Sequence, residues 1–258
     1  MIQEADLLCF KNWFEMYIKQ FCTGVERIDS AICLKVRHTK DVVREILDIA
    51  DSLQLDAEHH CLAEIVAILH DIDRFEQYMR YHTYSDQRSE DHAKLGLEVI
   101  ANTGVINRLS KDEQGLVRNV VYYHNRASLP HSDDQKFLLI LKMLRDADKI
   151  SILQVVTEHY AGINRNNAIN QGLPDTPEIS EKIVQCILEK KIANVKDMRT
   201  VNDFKLLQVS WVFDINFPWT YQIFKQRSYI DKLSSALPQT EIVKHAIESA
   251  NSFLLRNA

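Results

Sequence analysis

The stretch that decides the fold is IVAILHDIDRF, residues 65–75, in which an apolar run ends on a His-Asp pair. The run extends back to residue 57 and is dense enough in apolar side chains to predict a buried helix. Burying the imidazole of His70 and the carboxylate of Asp71 at its end costs free energy unless both groups are paired. A His-Asp pair alone is weak evidence, because about 0.8 such pairs arise by chance in this composition. Its position at a helix end is what makes the pair informative.

The flanking sequence also predicts helices. Only 6 Gly and 5 Pro interrupt the 258 residues, and alternating β-branched runs are scarce. Apolar residues at helical spacing predict helices at residues 7–21, 38–53, 57–69, 91–102, 112–124, 134–159, 179–194, 201–212, 219–237 and 240–255. Asp91 stands where it would cap the helix that follows it.

This pattern predicts an all-α fold, a helical bundle formed by one domain over residues 1–258. The residues that could bind a metal or take part in catalysis fall in a core at about 30–160. A loop rich in Asn, Gly and Pro covers residues 162–177, and the helices of 178–258 lack clustered His or carboxylates. We therefore expect the C-terminal helices to serve packing rather than chemistry.

Composition and charge exclude several classes of protein. The chain is 46% hydrophobic with a formal net charge of -5, which argues against a general nucleic-acid binder. No run of 18 apolar residues predicts a membrane span, and the N-terminal residues do not resemble a signal peptide. We expect a cytoplasmic protein with no membrane partner. The five cysteines include no C-x-x-C pair, so we expect buried free thiols rather than metal ligands.

Further donor residues accompany the His-Asp pair along the predicted core. Six side chains from five predicted helical segments are candidates: His38, His70, Asp71, His92, His124 and Asp148. Metal sites in helical bundles are built from facing helices in this way. A mixed set of nitrogen and oxygen donors suits a divalent Mn, Fe, Co, Ni, Zn or Mg ion.

The pattern H…HD…D, with LHDIDRF at 69–75 and RDADKI at 145–150 as its best-preserved pieces, resembles the HD superfamily of metal-dependent phosphohydrolases. The resemblance covers roughly residues 30–160. It implies a helical bundle in which His38, His70, Asp71 and Asp148 bind one metal ion. Subfamilies with two ions add two histidines, which His92 and His124 resemble, with Asp71 as the bridge.

The sequence departs from the family at two places. Many relatives have Gly where this chain has Asp73, so either the freedom of that turn changes or a carboxylate is added near the metal. The Gly-Tyr-Pro signature of the branch that cleaves cyclic dinucleotides is absent, which argues against such a substrate.

The resemblance implies an enzyme that hydrolyses a phosphate ester of a nucleotide or another small phosphorylated metabolite. A metal ion lowers the pKa of its water and neutralises a phosphoryl oxygen. Asp71 is then both ligand and catalytic residue, and Asp73 or Asp146 is expected to orient the water or a ligand histidine. Arg74 is the leading phosphate clamp, because its planar fork suits phosphate oxygens. Arg126 and Lys149 are further candidates for substrate binding.

Two other functions remain open at this point. Some HD relatives with two metals hold a diiron centre that activates O2, and His92 and His124 keep this alternative open. A degenerate HD fold that binds or senses without catalysis is the other alternative, although all the expected ligands are present.

Overall fold

The computed structural model describes residues 2–166 and 168–258. Within these residues the chain consists of helices, turns and loops, so the predicted all-helical fold is confirmed. The chain divides into two compact units, Met1–Asp148 and Lys149–Ala258. A single domain over 1–258 with its core at 30–160 stays a prediction.

The first unit contains the helices that carry the candidate donors. They are α1 (Glu4–Lys19), α2 (Glu26–Ser52), α3 (Ala57–Leu69), α4 (Arg74–Tyr81), α5 (His92–Thr103), α6 (Lys111–Tyr123) and the first half of α7 (Gln135–Tyr160). Helix α3 packs against α1, α2 and α6, while α4 packs against α2 and α5.

Helix α3 is central because its residues from Leu62 onwards are buried on every side. From Leu62 to Leu69 each of its residues is buried, and Ile72 and Phe75 beyond it are fully buried as well. Burying one such side chain contributes about 1.5–3 kcal/mol, so this segment anchors the core. The His-Asp pair at its end is consequently held deep inside the unit.

The second unit is built from shorter helices. They are α8 (Glu181–Leu188), α9 (Val201–Ser210), α10 (Pro218–Gln226), α11 (Tyr229–Ser235) and α12 (Glu241–Asn257), which follow the second half of α7. Helix α12 packs against α8, α9, α10 and α11. Every residue of α9 is buried, including several polar ones.

Several predicted boundaries are wrong. Helix α2 begins at Glu26 rather than at 38, because Ala31 and Ile32 are already buried on its inner face. The helix predicted at 219–237 is two helices, since Ser228 has a φ of 50° that interrupts the α conformation. Helix α4 was not predicted at all. The predicted cap is confirmed, because Asp91 accepts hydrogen bonds from the first turn of α5.

The expectation of no membrane span and the expectation of buried cysteines have different outcomes. None of the described helices combines the length and apolar content needed to cross a membrane. The cysteines are free thiols, as expected. Their predicted burial is wrong for Cys9, Cys22 and Cys33, which are exposed.

Candidate metal centre

The six predicted donors lie on segments that meet inside the first unit. His38 lies in the middle of α2, His70 and Asp71 directly follow α3, His92 is the first residue of α5, His124 directly follows α6, and Asp148 lies on α7. All of these side chains are buried except Asp148, which is partly exposed.

The rings of His70 and His124 are oriented by the helices that they end. His70 Nδ1 lies 2.8 Å from the carbonyl oxygen of Ala67, and His124 Nδ1 lies 2.7 Å from that of Val121. A carbonyl oxygen only accepts, so each Nδ1 carries the proton and donates it. Each Nε2 therefore presents a lone pair to the interior, as a metal ligand requires.

The ring of His92 is oriented by a carboxylate instead. Its Nδ1 lies 2.6 Å from Oδ2 of Asp86, in the segment between α4 and α5. Arg74 holds this carboxylate in turn, with Nη1 3.0 Å from Asp86 Oδ1. A carboxylate that accepts from Nδ1 fixes the tautomer and raises the basicity of Nε2.

Asp71 lies between two pairs of histidines. Its Oδ2 is 3.5 Å from Nε2 of His38 and 3.7 Å from Nε2 of His70. Its Oδ1 is 3.6 Å from Nε2 of His92 and 3.7 Å from Nε2 of His124. One carboxylate oxygen thus faces each pair, which is the arrangement that a bridging ligand needs.

Asp148 completes one side of this arrangement. Its Oδ1 is 3.1 Å from Nε2 of His38 and 3.8 Å from Nε2 of His70. We call the set His38, His70, Asp71 and Asp148 the first half-site, and the set Asp71, His92 and His124 the second half-site. In each half-site the histidines and Asp71 offer ligand atoms that all lie within 4.8 Å of one another.

A cation fits both half-sites on chemical grounds. Nε2 of His92 lies 3.1 Å from Nε2 of His124, although both Nδ1 atoms are donors and both Nε2 atoms present lone pairs. Two facing lone pairs repel each other unless a proton or a metal ion lies between them. Nε2 of His70 also lies 3.4 Å from Nε2 of His38. Buried histidines and carboxylates of this kind can hold a metal ion.

The pKa values of two histidines keep them neutral. Burial lowers the pKa of His70 to about 4, although the charges of Asp71 and Asp148 act in the opposite direction. Burial, together with the charge of Arg74, lowers the pKa of His92 to about 4. At neutral pH both rings are therefore unprotonated, which is the state that binds metal.

The two carboxylates of the centre are ionised. Burial by itself raises the pKa of Asp71, but the charge of Lys35 leads the opposing causes and holds it well below its usual range. Burial also raises the pKa of Asp148, and the hydrogen bond and charge of His38 outweigh it and lower the pKa overall. Both side chains are thus charged ligands at neutral pH.

Asp73 adds a carboxyl beside the centre. Its φ of -72° lies in the ordinary helical region, so the turn does not require the glycine of many relatives. The side chain is fully buried, and neither oxygen has a hydrogen-bond partner among the described residues. Burial, followed by the charge of Asp71, raises its pKa well above the usual range.

Arg74, predicted to clamp phosphate, is engaged by protein groups. Its Nη1 donates to Oε1 of Gln77 at 2.6 Å and to the carbonyl of Tyr84 at 2.8 Å, besides its contact with Asp86. Its Nε lies 3.4 Å from Oδ1 of Asp71. Arg74 therefore ties the segment that carries Asp86 to the centre.

The other two predicted substrate contacts are also paired. Arg126 donates from Nη1 to Oδ2 of Asp91 at 2.7 Å. Asp91 directly precedes His92 in the sequence. Lys149 lies in the second unit, where its Nζ is 2.8 Å from Oδ2 of Asp214. A role in substrate binding stays a prediction for Arg74, Arg126 and Lys149. Asp146 is fully buried in α7, two residues before Asp148.

Two residues at the centre were missed by the sequence analysis. Lys35 lies one helical turn before His38 and its Nζ is 2.7 Å from Oδ2 of Asp71. The helical spacing could have indicated it once α2 was extended towards its N-terminus. Asp86 begins a 3-10 helix of three residues, Asp86–Arg88, which is too short to show a periodic pattern, so the sequence carries no signal for its contact with His92.

No protein-family model matches the chain, and no curated protein or solved structure matches it either. The resemblance to the HD superfamily therefore rests on the spacing of the donors and two short motifs. Their placement in space is compatible with an HD-like site.

Proposed function

We propose that the chain is a metal-dependent phosphohydrolase that cleaves a phosphate ester of a nucleotide or another small phosphorylated metabolite. One observation carries the proposal: two pairs of buried histidines face the two oxygens of Asp71. A carboxylate between two such half-sites suits two divalent ions that share it. Two-ion centres are typical of enzymes that act on phosphate esters.

The residues of the centre have different proposed roles. Divalent ions held there would supply an acidified water and neutralise charge on the phosphoryl group. Asp71 and Asp148 contribute the negative charge that holds cations, while the fixed Nδ1 protons of His70 and His124 keep their Nε2 atoms aimed inward. Asp73 is fully buried beside the centre, and orienting a water or a histidine stays its proposed role.

A diiron oxygenase is the second candidate, because His92 and His124 complete a second half-site. Such a centre needs iron that changes oxidation state, whereas phosphate-ester hydrolysis requires no change in the oxidation state of its ions. Activity with Mn, Co or Ni therefore separates the two candidates.

The test is release of inorganic phosphate from a panel of phosphorylated metabolites by protein loaded with Mn, Co or Ni. We expect release from at least one compound, and no release by His70→Ala, which loses a buried ligand of the first half-site. His60→Ala is the matched control, because His60 is a partly exposed histidine that pairs with Asp51 instead. Wild-type protein that binds metal and releases phosphate from none of the panel would overturn the proposal.

A further inference from the structure

Lys35 is the cation nearest to Asp71, the carboxylate that the two half-sites share. An ammonium group has three donors, and within the described part of the chain Lys35 has one hydrogen-bond partner, Oδ2 of Asp71. Arg74 is held by several protein oxygens, and Arg126 donates to Asp91 while its Nε and Nη2 have no partner among the described residues. Lys35 combines unused donors with a direct contact to the carboxylate that both half-sites share.

The position of Lys35 is set by its helix and by an aromatic ring. It precedes His38 by three residues on α2, so both side chains project from one face of that helix. Its Nζ lies 5.3 Å from the centre of the Tyr84 ring, whose hydroxyl donates to the carbonyl of Ala31 on α2. The side chain is only 14% exposed, so the ammonium is held at the edge of the first half-site.

We propose that Lys35 binds the oxygens of the substrate's phosphoryl group, an inference that rests on the proposed function. Oδ2 of Asp71, the partner of Lys35, is also the oxygen that faces His38 and His70. A divalent ion held by that oxygen would leave Asp71 unable to balance the ammonium, and two positive charges would then lie near each other. An anion with several acceptor oxygens relieves this repulsion, and a phosphoryl group is such an anion.

The proposal distinguishes Lys35 from a merely structural ion pair. A structural lysine would stabilise the metal-free protein and leave anion binding unchanged. If Lys35 binds phosphate, its removal leaves the metal content unchanged and lowers the affinity for phosphate. The two roles therefore separate on a binding measurement that needs no turnover.

The experiment compares Lys35→Met with wild type. Each protein is loaded with Mn, its metal content is measured by elemental analysis, and inorganic phosphate is titrated by calorimetry at pH 7. We expect Lys35→Met to keep wild-type metal content and to bind phosphate about tenfold or more weakly, as loss of a charge-assisted hydrogen bond implies. Lys35→Arg keeps the charge and should recover most of the affinity.

Lys40→Met is the matched control, since Lys40 is an exposed lysine of the same helix that pairs with Glu15. It should behave as wild type. Where Lys35→Met does not fold, Lys35→Gln gives the same comparison with a neutral polar end.

Two results would overturn the inference: wild-type phosphate affinity in the neutral variant, or loss of its metal ions. The proposed function fails by a different result, namely wild-type protein that holds metal yet neither binds phosphate nor releases it from any substrate.

Discussion

Asp71 in the first unit and Asp203 in the second are both buried, but their surroundings differ in kind. Asp203 accepts backbone N–H groups from Ser180 at 2.7 Å, from Arg199 at 2.8 Å and from Thr200 at 3.2 Å. Asp71 instead faces histidine nitrogens, with Lys35 as its closest cation. Asp203 is satisfied by the chain, whereas Asp71 lies in a group of side chains that could hold a metal ion.

The comparison of Asp71 with Asp203 shows that burial of charge does not by itself mark a functional site. Helix α9 buries Asn202, Asp203 and Lys205, and their polar atoms meet the protein's own groups. At the candidate metal centre, the buried carboxylate of Asp71 faces nitrogens of four histidines. The identity of the partners, and not the depth of burial, separates the two regions.

Asp71→Asn is expected to have the largest effect. The amide is neutral and its nitrogen is no ligand, so both half-sites lose their shared donor. We expect loss of both metal ions, with activity reduced by about a thousandfold or more. Elemental analysis and a phosphate-release assay measure the two losses.

Asp203→Asn is the matched change in the other region. It should leave metal content and activity as in wild type and lower the free energy of unfolding by about 1–3 kcal/mol, because an amide nitrogen then faces N–H donors. Chemical denaturation measures that loss. If both variants lost metal equally, the distinction between the two regions would be wrong.

His92→Ala is expected to remove one ion. It takes a nitrogen donor from the second half-site and leaves all four residues of the first intact. We expect the metal content to fall from two ions to one per chain, measured by elemental analysis. A variant that retains two ions, or loses both, would show that the half-sites are not separate in this way.

Asp86→Ala is expected to have a smaller effect on the same half-site. Without this carboxylate, Nδ1 of His92 loses its acceptor, which should weaken binding of the second ion by about 10–100-fold. Calorimetric titration of metal into metal-free protein measures it. Asp51→Ala removes a similar partner from His60, outside the centre, and should leave metal affinity unchanged.

The metal-free protein should lose stability as the pH falls from 7 to 5. The pKa of His70 and of His92 is about 4 in the folded chain and about 6.5 in an unfolded one, so unfolding takes up protons between these values. The loss should be about 2 kcal/mol for each histidine, and His38, whose pKa is raised, opposes it. Urea denaturation at both pH values checks this; stability that is equal or higher at pH 5 would contradict it.

The sequence predicted the helices and the donors for identifiable reasons. Apolar periodicity located α3, and the capping residue Asp91 located α5. The donors were recognisable because His70, Asp71 and Asp148 belong to short contiguous motifs.

The contacts at the candidate site that the sequence did not predict join segments distant in the sequence. Lys35 was missed because the start of α2 was placed at 38, and Asp86 because its partner His92 is reached across an aperiodic turn segment. The sequence singled out Arg74 as a cation but carried no sign of its bonds to Gln77 and to the Tyr84 carbonyl. Such contacts are properties of the folded chain.

The most direct test of the two-ion centre is anomalous diffraction from crystals of the protein grown with Mn. We expect two peaks at the manganese edge, one beside His38, His70 and Asp148 and the other beside His92 and His124, with Asp71 between them. A single peak would contradict the bridging role of Asp71. The absence of any peak at these residues would contradict the metal centre itself.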